Sequence, residues 1–337
     1  MRRILISSVA AAALLASGTA YAQSNQSDLT QTGAGAVATV LQDGANDRSS
    51  ITQSGGGTVD VHQTGVKGST STVTTGADDR PPESTVTIRQ TDDGTTSATT
   101  GQANVSTVVQ DNVNGFGTTG TGSTVDVTQI HNAAGAGQNA SYVMQGRNAV
   151  SGQVRVRQEG GENISYYAST TSTDNDADIT QDGVGNNSTV LQNFQGGGAY
   201  ASVDQNNPGG AVNTAYIEQV SDGFSVSPAE FAYGAEARIV QNGSDNSSSI
   251  VQTGFSETMA QGNYAYNSQS GDNHVSNIRQ DGIDNSAIVI QAGFDNSSSV
   301  QQGGNANIAT VTQGSTGNVS AINQSGNGNT ATVTQGM

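Results

Sequence analysis

The chain has 337 residues, a formal net charge of −17, 44 glycines, no cysteine, no tryptophan and only 4% aromatic residues. A disulfide-stapled fold is excluded, and so aromatic-poor a composition does not build a large conventional core. Nucleic-acid binding is excluded too, because phosphate contacts need clustered Lys and Arg and only 11 such residues are present.

At the start come Arg2 and Arg3, a largely apolar run from Ile4 to Ala16 and the small-residue site Ala20-Tyr21-Ala22. These are the parts of a secretory signal peptide, residues 1–22, cleaved after Ala22. The apolar run is too short to span a bilayer. No later segment is apolar enough to do so, which predicts an exported, soluble mature chain whose charge is more negative by the two lost arginines.

From residue 23 a repeated unit begins, ending in glutamine with an aliphatic residue two positions earlier. Residues 23–63 hold tightly spaced units, with Leu29 before Gln31, Val40 before Gln42, Ile51 before Gln53 and Val61 before Gln63. Residues 64–234 hold units ending at Gln90, Gln110, Gln129, Gln145, Gln158, Gln181, Gln192, Gln205 and Gln219. Longer loops interrupt them at Gly76 to Glu83, Asn112 to Gly122, Glu159 to Ser172 and Ser221 to Phe231. Residues 235–337 are nearly unbroken: after Gln241 and Gln252, a glutamine returns every eleven residues from Gln269 to Gln335, with Asn267 in the aliphatic place before Gln269. Twenty-two units result, or about eleven coils if two strands make one coil. Prolines stay in the loops and at Pro208, away from strand interiors where they would delete a ladder bond.

The last unit shows the grammar as Asn329, Ala331, Val333 and Gln335. In an extended strand these point to one face, while Thr330, Thr332 and Thr334 point to the other. Ahead of the strand a glycine commonly follows the previous glutamine by two, as Gly282, Gly293, Gly304 and Gly326 do, where a turn can use positive φ. The predicted fold is all-β: a solenoid of stacked two-strand coils, each coil two eleven-residue half-repeats.

One such unit cannot fold alone. Burying a Val or Ile contributes about 1.5–3 kcal/mol, whereas ordering each residue's backbone costs roughly 1–2 kcal/mol. Stacking adds hydrogen bonds above and below, and identical amide side chains can bond in ladders along the stack. The predicted ladder and assembly residues are Gln280, Asn285, Gln291, Asn296, Gln302, Asn307, Gln313, Asn318, Gln324, Asn329 and Gln335. No capping helix or polar repeat follows Gln335, and the first unit begins close to the cleavage site. Open terminal coils present unpaired backbone groups, so the array is expected to template its own polymerisation. Acids just after the glutamine, such as Asp43, Asp182 and Asp281, form a rim that is either simply solvated or delays association until export.

These residues resemble curlin, the amyloid subunit of bacterial curli fibres, whose repeat core reads Q-x-G-x-G-N-x-A-x3-Q. Gln324, Gly326, Gly328, Asn329, Ala331 and Gln335 meet it in full. Copies running from Gln280 to Gln291 and from Gln302 to Gln313 lack only the second glycine. With Ser in place of Ala, the pattern recurs from Gln181, Gln241 and Gln291. The family's leading serine, six before a glutamine, appears only at Ser84 and Ser123; Asn usually holds that place here. The resemblance implies an extracellular subunit that passes through the periplasm and an outer-membrane secretion apparatus. It then polymerises with itself or with other curlin subunits into a cell-surface fibre serving adhesion and biofilm.

No catalytic, cofactor-binding or metal-binding constellation is found. His62, His131 and His274 fall at unrelated places in the repeat and read as surface histidines. Asp174, Asp176 and Asp178 suggest a calcium loop, but Ile179 stands where such a loop needs glycine. An alternative is a monomeric solenoid that binds a surface or carbohydrate through its outward row. Against it, Ser286, Ile288 and Ile290, or Val319, Ala321 and Asn323, replace the threonines in other units.

Overall fold

The computed structural model describes residues 25–336 except 33–34, 66–67, 77–83, 93–103, 111–122, 133–136, 147–151, 170–174, 194–197, 221–233 and 255–261. The leader, Pro81, Pro82 and Asp174 lie outside the described residues. Among the described residues all regular structure is strand, and no helix is long and apolar enough to cross a membrane.

Strands alternate between two parallel sheets of twelve. Odd-numbered strands run from β1 (Gln26–Gln31) to β23 (Val319–Ser325), and even-numbered ones from β2 (Ala36–Gly44) to β24 (Thr330–Gln335). Every coil gives one strand to each sheet, and each strand pairs in parallel with the strands two before and two after it, as β22 (Ile308–Gln313) does with β24. The result is the expected β-solenoid, with twelve coils. At roughly 4.8 Å per rung its length is about 58 Å.

Two strands exceed the sequence count. β5 (Thr70–Thr75) and β11 (Ile164–Ser169) end on Thr75 and Ser169 where every other strand's unit carries glutamine. β11 also corrects the reading of Glu159 to Ser172 as an interruption. A strand is retained there because Val73 and Tyr167 still fill the core two positions earlier, each 1% exposed, and the neighbouring strands supply the backbone ladder.

Strict alternation explains the core. In β20 (Ser286–Phe294) Ala287, Val289 and Gln291 are buried and Ile288 and Ile290 are not. Register then stacks like on like: Ala287, Val289 and Gln291 lie opposite Ala309, Val311 and Gln313 of β22. Repeated along the stack, this gives a core of Val, Ile and Ala with Tyr167 from Ile51 to Ile322, interrupted by the buried Asn267 between Ile239 and Val289. Leu29, Ala38 and Val40 at one end, and Ala331 and Val333 at the other, are only partly buried.

Candidate assembly site: amide ladders and open ends

The glutamine closing every strand but β5 and β11 turns inward beside the arc, and inside an unbroken run its side chain does three things. Gln291, buried, accepts from Gln269 Nε2 at 3.0 Å, donates to Gln313 Oε1 at 2.9 Å, and donates to the Val275 carbonyl of the opposite sheet at 3.1 Å. Both amide hydrogens and the oxygen are thereby satisfied inside the core, which removes the desolvation cost of burying the group. The third bond ties the two sheets together.

In the even sheet the ladder is continuous. From Gln42 through Gln63, Gln90, Gln129 and Gln158 to Gln181, each Nε2 donates to the next Oε1 at 2.7–2.9 Å. Gln181, Gln205, Gln241, Gln269, Gln291, Gln313 and Gln335 continue it at 2.7–3.0 Å. Every bond points the same way along the chain. The partners lie 22 residues apart in the regular tail and 39 apart between Gln90 and Gln129, yet the bond length hardly changes. Extra residues are accommodated between strands.

The odd sheet has the same ladder with two gaps. Gln31 reaches Gln53, Gln110 reaches Gln145, and Gln192, Gln219, Gln252, Gln280, Gln302 and Gln324 form an unbroken run. Thr75 interrupts it, and the buried Gln110 Oε1 has no hydrogen-bond partner among the described residues. At the Ser169 gap the Tyr167 hydroxyl donates to Gln192 Oε1 at 2.9 Å, taking the missing amide's place. Burial pushes that phenol far above its ordinary range, so it remains a donor.

Asparagines form a second set of ladders where the chain enters each strand. Asn329 donates both its backbone N–H and Nδ2 to Asn307 Oδ1, at 3.0 and 2.9 Å; Asn307 does the same to Asn285, at 3.1 Å for both. Asn318 does so to Asn296, at 2.9 and 3.0 Å. Nδ2 of Asn285, Asn296 and Asn307 also donates to the carbonyls of Gly304, Ser315 and Gly326, at 2.6–2.8 Å. These amides serve carbonyls in the arcs that no strand pairing reaches. The odd-sheet row departs from Asn at Asp47, Ser69 and His274.

His274 is fully buried, as is nearly the case for His131, at 3% exposed, which corrects the reading of the histidines as surface groups. The His274 ring copies the amide it replaces. Nε2 lies 3.2 Å from the Ser270 carbonyl and Nδ1 accepts from Asn296 N at 3.3 Å, an arrangement that requires the neutral Nε2–H tautomer. Burial holds its pKa below the ordinary value. His131 instead occupies a position two after the ladder glutamine, beside Asp92, with Nδ1 3.7 Å from the carboxylate. His62 faces outward on β4 (Gly57–Gly65). At Asp47, Oδ1 accepts from Ser69 N at 3.0 Å while Oδ2 has no hydrogen-bond partner among the described residues, and burial pushes the carboxyl up to about 6.

Both glycine positions of the repeat have a geometric cause. A Cβ on Gly304, two after Gln302, would meet the next rung's Gly326 oxygen at 2.3 Å. The second position, seven before the closing glutamine, is left-handed: Gly328 has φ 69°, and Asp284 and Ala306 hold 57° and 55°. Asp tolerates that conformation far better than Ala.

Among the described residues no strand pairs with the outer edges of β1, β2, β23 or β24. At the last coil, Nε2 of Gln324 and Gln335 donates to the Ile308 and Val319 carbonyls at 2.9 and 3.0 Å, with no further glutamine beyond. At the first, Gln31 and Gln42 donate inward at 2.9 Å and, among the described residues, accept from no preceding glutamine. Among the described residues no group of three or more His, Cys, Asp or Glu could hold a metal ion.

Two segments, residues 173–206 and 304–336, match the family model of the curlin associated repeat. The likeness to curlin read from the motifs is borne out there, and the chain is consistent with a curlin-family subunit. No curated protein matches the chain at a significant level.

Proposed function

We propose that this chain is an exported structural subunit that stacks end to end with copies of itself into curli-like, amyloid-type fibres at the cell surface, where they support adhesion and biofilm. The observation that carries this reading is the complementarity of the two open ends. The last coil offers Nε2 hydrogens from Gln324 and Gln335, and the first offers Oε1 acceptors at Gln31 and Gln42. Asn318 and Asn329 offer Oδ1 atoms to the backbone N–H groups of Asn25 and Ala36, the relation that Asn296 and Asn307 have to Asn318 and Asn329 within the chain. Because each sheet has twelve strands, a docked copy continues odd onto odd and even onto even. Partly buried Val333 and Ala331 would then cover Val40 and Ala38.

The partners on this reading are other copies or other curlin-type subunits, reached through an outer-membrane secretion apparatus. The test is incubation of the purified mature chain at neutral pH, followed by thioflavin fluorescence and fibre diffraction. Fibres with a meridional reflection near roughly 4.8 Å are expected. Persistent monomer without that reflection would overturn the reading in favour of a self-contained solenoid that binds a surface or carbohydrate.

A further inference from the structure

The two outer faces of the solenoid differ in charge. In the odd sheet, β5, β7 (Asn104–Gln110), β9 (Asn139–Gln145), β11 and β13 (Asn186–Asn193) contain no charged residue. Their outward positions carry Val105, Val109, Tyr142, Met144, Ile164 and Tyr166, with Leu191 beyond. Tyr142 and Tyr166 stack with ring centroids 5.2 Å apart and planes 3° from parallel, and Ile164 is 49% exposed. Over the same span the even sheet's outward positions include Asp60, Arg89, Asp126, Arg155, Arg157 and Asp178.

We propose that this uncharged odd-sheet face is a lateral docking surface for the same face of a second copy in a neighbouring fibre. The inference rests on the end-to-end reading above. A chain of net charge −17 repels its copies wherever acids face each other, and two even-sheet faces could meet only by desolvating their ions. The five odd-sheet strands carry no such cost, since the outward charges of that face, among them Asp28, Arg48, Glu218 and Arg279, lie on other strands, and the stacked tyrosines offer large, rigid contact area.

Area decides which occupant fits. Five rungs at about 4.8 Å and three outward residues per strand give roughly 400–500 Å². That is short of the roughly 800 Å² per partner of a stable pair of proteins, so isolated monomers stay apart. In a fibre the patch returns on the same face every twelve rungs, about 58 Å. Many weak contacts then act together, and pairing becomes a property of the polymer.

The experiment compares fibres of the natural chain with those of Tyr166→Glu, and with Tyr266→Glu on the even sheet as control. Thioflavin kinetics report elongation and electron microscopy reports fibre width. Paired fibres are expected for the natural chain and the control, while Tyr166→Glu elongates at an unchanged rate into single fibres of half the width. If Tyr166→Glu fails to fold by circular dichroism, Ile164→Lys, at a half-exposed position, gives the same readout. Fibres of the natural chain that never pair, or pairing that survives the charge, would overturn lateral docking and leave end-to-end assembly standing. Absence of fibres in the natural chain would overturn the end-to-end reading, and lateral docking with it.

Discussion

The even sheet carries an unbroken file of twelve glutamines, whereas the odd sheet tolerates Thr75 and Ser169 in the same file. Both sheets nevertheless keep every strand, since the backbone ladder is complete in each and the row two residues earlier is filled by a buried or partly buried side chain, aliphatic except at Tyr167 and Asn267. The difference teaches that the glutamine bond is not what makes a strand. It is a third contribution, and its loss is bearable when a neighbour supplies the missing hydrogen, as Tyr167 does for Gln192.

The hardest way to break the contrast is to open the even file. Gln291→Ala strips partners from Gln269, Gln313 and the Val275 carbonyl at once. At about 1–3 kcal/mol for each of the three groups left unpaired, urea unfolding of the dilute monomer should register a loss of roughly 3–9 kcal/mol. Gln110, beside the Thr75 gap, already has no donor to its Oε1, so Gln110→Ala should lose about half as much.

Repairing the odd sheet sharpens the contrast. Nine of the twelve residues at the entry to the odd strands are Asn, and Asn25 shows what the amide does there, donating to the Gly44 carbonyl at 3.1 Å. Asp47→Asn supplies that donor in place of the unpartnered Oδ2. The folded chain binds a proton at Asp47 more tightly than the unfolded chain does, so its native state loses stability as pH rises from the ordinary carboxylate value to about 6. Asp47→Asn should therefore stabilise by about 1–3 kcal/mol above pH 6 and by little at pH 4, read as paired urea midpoints. His274 has the opposite sign. Its depressed pKa leaves the native state unaffected at neutral pH and costs stability as pH falls below the ordinary histidine value. His274→Asn should remove that acid-side loss.

A smaller effect is expected at Tyr167. Tyr167→Phe removes the donor to Gln192 and should cost about 1–2 kcal/mol, while Tyr142→Phe on the outer face should be neutral within error. Tyr167→Val combined with Ser169→Gln rebuilds the usual pair and should recover the loss, a coupling that a double-mutant cycle measures. Smallest of all is Ala306→Gly at a left-handed position, a gain of about 1 kcal/mol in thermal or urea unfolding.

Fold class and inward face were legible in the sequence, because period-two alternation and an eleven-residue return leave few other solutions. Both strands that escaped notice lack the glutamine that marks a unit: Val73 is followed by Thr75, and Tyr167 by Ser169. Pattern reading keyed on one residue type misses a compensated pair, since the compensation from Tyr167 reaches the next coil. The burial of His274 is hidden in the sequence for a related reason. His274 sits six before Gln280, the asparagine place, and only hydrogen-bond geometry reveals an imidazole acting as an amide. The charge difference between the faces was also hidden, because it emerges only when alternate units are sorted into two sheets.

The arcs carry one more consequence. A same-sheet bond spans 22 residues in one coil and 39 in another at nearly equal length, so residues can be gained without gaining height. Foreign peptides grafted between consecutive strands, as between β7 and β8 (Thr124–His131), would hang from the side of the stack at a fixed elevation. A fibre of the proposed kind would then carry cargo at regular intervals along its flank.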